Sequence, residues 1–537
     1  MPGGRIEPAA RVTGPQPLLW LAWVCAAATI VYVVGAPFWV ADYPMMTDFP
    51  FHASSSSVFR HYTDAGWHFR EQFVFQMFTV PYVTFYAVSA IFMIVLPPIV
   101  ATKLAAALFL ALLPMGLMVL CWGLRKSPLL GLWGLVPVWG VLTHWGFVNF
   151  VAALGLFAMT LGLALRVVDR PSVKTQGALI AVLILLFFTH IFRFPFALGM
   201  LVLVAVVMHG RVESVRGLFI PIGVAIALFV AWGLSRADAL VPEIRWALPP
   251  DWSRMSSAGA YEYAFDIFIG DEDAQMFRRV VLLFLLTAVA LLAIAVARLR
   301  SWPKGGWVVP AHLVVGVAIL VSLGLYLILP MEIGIWWYVF PRELTAALFL
   351  LPALLPNLPR KTWAHLAFVI WTAVGVAPLG ELVTDAHREF STTTVHFREI
   401  IRELPKSPKL LYLVYDHQGS RAKNSPYIHL PAYAQAERGG WLSFHFAHSG
   451  PFPFRYRDPA DPSAVIPPKT PVRWEWTPQL FELDPHGDFF DWFLVRRVSS
   501  PDSLFTSDPS IRRVAHFEDW WLYHRGGGST GPPGETP

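Results

Sequence analysis

The side chains in this chain whose types and spacing could do chemistry gather in a few short stretches. In Met46-Thr47-Asp48-Phe49-Pro50-Phe51-His52 a carboxylate and an imidazole stand one helical turn apart, so a helix would put both on one face. The stretch follows an apolar run from Pro17 to Ala41. Asp48 is therefore expected where a helix leaves a bilayer, a half-dry position in which a charge acts strongly on whatever approaches it. Asp is also a preferred helix N-cap and Pro suits a first turn, so Asp48 read by itself is either a cap for a helix opening near Pro50 or a reactive carboxylate. Arg193, in His190-Ile191-Phe192-Arg193-Phe194-Pro195, and Arg342, in Trp336-Trp337-Tyr338-Val339-Phe340-Pro341-Arg342-Glu343, stand at the ends of apolar runs beside aromatics. An arginine so close to hydrocarbon needs a partner, and phosphate presents planar, bidentate acceptors. Snorkelling to lipid headgroups, or pairing with Glu343, is the structural alternative for each.

The elements that must hold these groups are read from composition. Of 537 residues 55% are hydrophobic and 14% charged, and mean hydropathy is +0.52. A soluble protein of this size carries nearer a quarter charged residues. Uncharged runs of about twenty residues recur, the length a helix needs to cross the hydrocarbon. The chain thus reads as a polytopic α-helical membrane protein. Its net charge of +5 comes from short basic clusters between apolar runs, a pattern that suits a cytoplasmic membrane edge rather than nucleic acid. Cys25 and Cys121 both lie inside apolar runs, so neither a disulfide framework nor a Cys-based zinc site is available. No P-loop, GxGxxG after a strand or HExxH occurs, which leaves nucleotide-driven pumping and zinc proteolysis unsupported. No cofactor is expected. His144, His190, His429, His445 and His448 match no recognised metal-ligand spacing, and no metal site is expected from them.

Residues 1–16 read as a disordered cytoplasmic tail and 17–41 as a retained anchor helix. Spans are expected at 17–41, 99–122, 129–145, 147–166, 177–191, 193–209, 216–235, 279–299, 308–330, 338–356 and 363–382, about eleven in all. The basic clusters Arg125-Lys126, Arg166/Arg170/Lys174, Arg211/Arg216, Arg298/Arg300/Lys304 and Arg360-Lys361 share one face only if a single crossing separates Asp48 from Arg125. The apolar segment 73–98, broken by Pro81 and ended by Pro97-Pro98, is then interfacial or re-entrant. This parity places the N-terminus inside and puts a first outer loop (42–98) and a second large one (236–278) outside. The second carries Glu243, Glu262 and Asp266. Residues 384–525 turn soluble and read as a small extracytoplasmic α/β domain: a helix over 387–404, a buried strand over 409–415, a helix near 427–437, and strands near 441–446, 490–497, 511–517 and 520–524. Prolines crowd 451–485, which reads mostly as loop. The tail 526–537 has linker composition.

An anchor helix, an outer loop with an acidic residue, an interfacial segment, about ten more spans and an outer C-terminal domain together resemble the GT-C superfamily. Its members are integral-membrane glycosyltransferases that use polyprenyl-phosphate sugars. Met46-Thr47-Asp48-Phe49-Pro50-Phe51-His52-Ala53-Ser54 resembles the Asp-x-Pro-x-His element that follows the first span in bacterial members. Trp145-Gly146-Phe147-Val148-Asn149-Phe150 resembles their glycine-aromatic-Asn entry to a later span. The resemblance covers roughly residues 17–382, and the first loop lacks the Asp-Glu pair that many of the enzymes carry. It implies a bacterial inner-membrane transferase that takes a polyprenyl-phosphate-linked sugar and a glycan or lipid acceptor on the outer face. Asp48 is then the general base, His52 tunes it, and Arg193 and Arg342 hold the donor phosphate; Glu243, Glu262 and Asp266 contact the acceptor or supply an alternative base. A lipid or solute transporter, or a non-catalytic subunit of an envelope glycan machine, is the competing expectation. Ion-coupled transporters place ionisable groups near the bilayer midplane, whereas the groups here gather at one face.

Overall fold

The computed structural model describes residues 12–209, 215–236, 244–256, 272–297, 307–334, 336–418, 424–448, 452–470 and 474–526. It divides into two compact units. The first takes in Met1–Ala41, Met77–Phe85 and Lys103–Arg388, and the second takes in Asp42–Gln76, Tyr86–Thr102 and Glu389–Pro537. The chain is a helical membrane protein with a C-terminal sheet domain.

Among the described residues seven helices are long and apolar enough to cross a membrane: Gln16–Val40, Pro98–Gly123, Val148–Asp169, Arg216–Leu234, Ala274–Ala297, Val308–Ile328 and Thr362–Thr393. Two shorter apolar helices, Val173–Thr189 and Ile191–Val207, accompany them. Val148–Asp169 is 89% buried over its most apolar window, against 17% for Arg216–Leu234 and Ala274–Ala297. The first therefore lies at the centre of its unit, and the other two expose Leu and Val side chains, among them Val230, Leu234, Leu282 and Val289.

Glycines set the central packing. A Cβ on Gly116 would lie 2.1 Å from the Gly155 carbonyl oxygen, and one on Gly123 would lie 2.4 Å from that of Gly162. Each pair is two turns from the other along both helices, so Pro98–Gly123 and Val148–Asp169 meet backbone to backbone along one stripe. Without a hydrophobic drive between helices in lipid, such close van der Waals contact is what associates them.

Two expected spans take another form. Residues 129–145 are not one helix but a 3₁₀ segment, Pro128–Leu135, followed by the short helix Val141–Trp145. Gly131, Gly134, Pro137 and Gly140 interrupt the run, and a Cβ at Gly131 or Gly134 would meet the backbone of Met118 or Pro114. Close approach of Pro98–Gly123 thus selects glycines that are poor for a long helix. Residues 338–356 likewise hold only the helix Pro341–Leu350 and a 3₁₀ turn, Leu351–Leu354, because Pro352 and Pro356 cannot donate to a continuing ladder. In 73–98 the one sizeable helix is Thr84–Phe92, nine residues long, about 14 Å and too short to cross.

The second unit contains a five-stranded sheet in the spatial order Trp441–Leu442, Lys409–Val414, Trp492–Arg496, Trp520–Arg525, Ile511–Phe517. Lys409–Val414 runs parallel to both its neighbours and is buried along almost its whole length, as its unbroken apolar run requires. The last two strands form a hairpin across Glu518-Asp519, with Glu518 at φ 49°. Leu411, Leu413, Trp474, Phe493, Val495 and Tyr523 form the core on one face. The sequence reading placed all of these strands, but it missed a second, two-stranded sheet. Phe73–Phe75 pairs antiparallel with Phe454–Tyr456, inside the stretch read as loop.

The helix Phe49–His61 packs on Ala432–Arg438 through four consecutive serines, Ser54 to Ser57, all fully buried. Small side chains let the helices approach, and every hydroxyl is used. Ser54 donates to Gln435 Oε1 at 2.5 Å and Ser57 to the Ala436 carbonyl at 2.7 Å, while Ser55 and Ser56 bond back to Phe51 and His52. The helix carrying the candidate carboxylate is therefore a rigid part of the second unit.

Candidate functional site

Asp48 sits at the N-cap position of Phe49–His61, and its carbonyl accepts from the Phe51 and His52 amides. Its side chain makes no capping hydrogen bond. The helix start thus relies on Pro50 and the buried aromatics, and the carboxylate is not spent on the cap. Oδ1 of Asp48 instead lies 3.5 Å from Nε2 of His429.

His429 is fully enclosed, and burial pushes its pKa down to about 3, with a smaller contribution from His417. It is a neutral imidazole at any physiological pH, so the contact is not an ion pair. Its ring packs against Phe51 at 4.8 Å, Phe446 at 5.4 Å and Phe444 at 6.1 Å between centroids. Thr47, next to the carboxylate, accepts from Asn424 Nδ2 at 3.1 Å. One turn on, His52 Nδ1 lies 3.2 Å from the hydroxyl of buried Tyr86. Asp48 thus meets His429, and His52 meets Tyr86. The sequence reading weighed His429 only as a metal ligand; nothing local marks it, because its role depends on a distant carboxylate.

The arginines belong to the first unit. Arg193 is 2% exposed and donates through both terminal nitrogens to Glu343, at 3.0 and 2.7 Å. Phe150 and Phe196 flank it, each 5.1 Å from ring centroid to guanidinium carbon. The geometry assigns the Glu343 pairing to Arg193, whose fork is occupied by a carboxylate where a phosphate was expected. Arg342 is half-buried. Its Nε donates to the Tyr338 carbonyl at 3.1 Å and its Nη2 to that of Trp337 at 3.0 Å. Tyr338, whose carbonyl accepts from Nε, has φ 62°. The Arg342 guanidinium lies 4.4 Å over Phe147, the aromatic of the glycine-aromatic-Asn segment. Tyr82, within the field of Arg342 and Arg236, has its hydroxyl pKa raised by burial and stays a neutral donor.

One basic residue was passed over in the sequence. Lys103 lies inside the apolar run of Pro98–Gly123 and is 6% exposed. Its Nζ donates to the Ala41 carbonyl at the end of Gln16–Val40, where the helix dipole favours a cation. A lysine within a span was the available signal.

Glu243, Glu262 and Asp266 lie outside the described residues. Among the described residues no group of three or more His, Cys, Asp or Glu side chains is placed to hold a metal ion. His190 is enclosed by Tyr82 and Phe150, and His445 accepts from the Ala447 amide at 3.0 Å.

No family model matches the chain, and no curated protein matches it. Among solved structures it is similar to ArnT from Cupriavidus metallidurans bound to undecaprenyl phosphate, at 13% identity and a TM-score of 0.48, over 95% of this chain and 99% of that one. It is also similar to the same protein in its apo state, at 12% identity and a TM-score of 0.43, over 96% of this chain and 100% of that one.

Proposed function

We propose that this protein is a membrane glycosyltransferase that moves a sugar from a polyprenyl-phosphate donor to a cell-envelope acceptor on the extracytoplasmic face of a bacterial inner membrane. The observation that carries this reading is Asp48: a carboxylate at the head of a rigid helix, unused as a cap and set beside a neutral imidazole. In the reaction the acceptor hydroxyl attacks the anomeric carbon, its proton passes to Asp48, and the bond from that carbon to the phosphate oxygen breaks. Polyprenyl phosphate leaves with the electron pair. In the first unit Arg342 is the phosphate ligand of choice, because a guanidinium stacked on a ring keeps a fixed plane for bidentate recognition. Arg193, held by Glu343, braces the aromatic bed on which Arg342 lies: both arginines contact Phe150. His52 orients the carboxylate's helix face through Tyr86. Glu243, Glu262 and Asp266 remain acceptor-contacting candidates.

Arg342→Lys tests the donor site. Lysine keeps the charge but loses the planar fork, so affinity for a polyprenyl-phosphate sugar should fall about ten-fold, or about 1.4 kcal/mol. Binding of labelled donor to purified protein in detergent reads this directly. Unchanged affinity leaves Arg342 as a structural brace on the Trp337 and Tyr338 carbonyls.

Orientation is tested with introduced thiols at two exposed positions. Thr63→Cys should react with an impermeant maleimide in intact cells, and Ser172→Cys only after permeabilisation, because three crossings separate them if 73–98 does not cross. Labelling of position 172 from outside rejects the topology.

A further inference from the structure

We infer that His429, from the C-terminal part of the chain, is a positioning residue that holds the Asp48 carboxylate ionised and aimed, an inference that rests on the reading of Asp48 as general base. The geometry restricts what this imidazole can do. Nε2 is 3.5 Å from Asp48 Oδ1, and Nδ1 is buried with no hydrogen-bond partner. Because burial keeps the ring neutral, it carries one proton, and two tautomers compete. With the proton on Nδ1, a donor would be buried unsatisfied and the Nε2 lone pair would face a carboxylate; both are unfavourable. With the proton on Nε2, the N–H faces the carboxylate and only a lone pair is left in the apolar pocket. The second tautomer is therefore the stable one, and the rings of Phe51, Phe444 and Phe446 fix its plane.

A neutral donor suits this task better than a cation. It lowers the energy of the carboxylate relative to the acid, yet it does not hold the incoming proton off as strongly as a fixed positive charge would. A contact of 3.5 Å leaves room to shorten as charge and substrate settle, as catalytic hydrogen bonds do on binding. Among the described residues, titratable groups near the pair include His417, in the electrostatic field of His429, His52 one turn along the helix with Tyr86 against it, and His445 at the edge of Phe51. His445 is held neutral by burial, with its pKa pushed down to about 3.

The test uses the full chain in detergent, with two variants and two readouts. His429→Gln keeps a neutral N–H at similar reach, whereas His429→Phe keeps the aromatic volume and removes the donor. The first readout is the pH dependence of kcat/KM for transfer from a polyprenyl-phosphate sugar. The second is an infrared titration of the carboxyl band assigned to Asp48 by difference from Asp48→Asn, which needs no activity. His429→Phe should move the acid limb and the infrared midpoint together to higher pH, by about one unit, and His429→Gln should leave both near wild type. An unmoved midpoint in His429→Phe overturns the inference, as does an equal loss of activity in both variants that tracks their melting temperatures. If wild type shows no transfer at all, the glycosyltransferase reading fails, and the infrared midpoint still decides the role of His429.

Discussion

Asp48→Asn should abolish glycosyl transfer while leaving expression and melting temperature near wild type. Asn serves as well as Asp at an N-cap position, and the Asp48 side chain makes no capping hydrogen bond in any case. The helix Phe49–His61 is held by its serine face on Ala432–Arg438. Neither feature depends on the charge, so stability should change by well under about 1 kcal/mol. Proton abstraction does depend on it, because an amide cannot take a proton from the acceptor near neutral pH. A positioned base contributes on the order of a hundred- to ten-thousand-fold, which takes turnover below detection in most transfer assays. Asp48→Ala should match it in activity but be less stable than Asp48→Asn, because it takes the acceptor away from the buried Nε2 of His429. The measurement is transfer by purified variants with thermal melts recorded in parallel. Wild-type turnover in Asp48→Asn would remove the base from this position and direct the search to Glu243, Glu262 or Asp266.

The largest stability effect should come from separating Arg193 and Glu343. Both are buried, and the pair is bidentate at 3.0 and 2.7 Å. Glu343→Leu would leave a guanidinium enclosed among Phe150 and Phe196 with its carboxylate gone. Removing one member of a buried pair costs about 3–5 kcal/mol, mostly the energy of stranding the other charge. Replacing both with apolar groups costs far less, since desolvation of both ions is then avoided. Glu343→Leu is thus expected to lower the melting temperature in detergent sharply, and the double variant Arg193→Met/Glu343→Leu to recover most of the loss. A single variant as stable as wild type would mean that Arg193 reaches another anion, and would restore it as a direct phosphate ligand.

What the amino-acid order determined by itself is whatever depends on neighbours within a few turns. The apolar runs, long enough to span a bilayer, announced a helical membrane protein, and the apolar run over 409–415 announced a buried strand, which the fold sets parallel to both its neighbours. The position of Asp48 at the head of a helix was equally local, because Asp followed by Phe-Pro is a helix start whatever surrounds it. Tertiary structure decided the pairings. Arg193 and Glu343 stand 150 residues apart, and an ion pair at that separation leaves no periodicity to read. Pairing of Arg342 with its neighbour Glu343 was equally admissible from the sequence, until the turn at Tyr338 drew the guanidinium to backbone carbonyls. Residues 129–145 had the composition of a span, but their glycines serve the close approach of another helix, a contact invisible in a one-dimensional pattern. His429 looked like one scattered histidine among several. Only the fold, by burying it among three phenylalanines, set its Nε2 3.5 Å from an oxygen of Asp48.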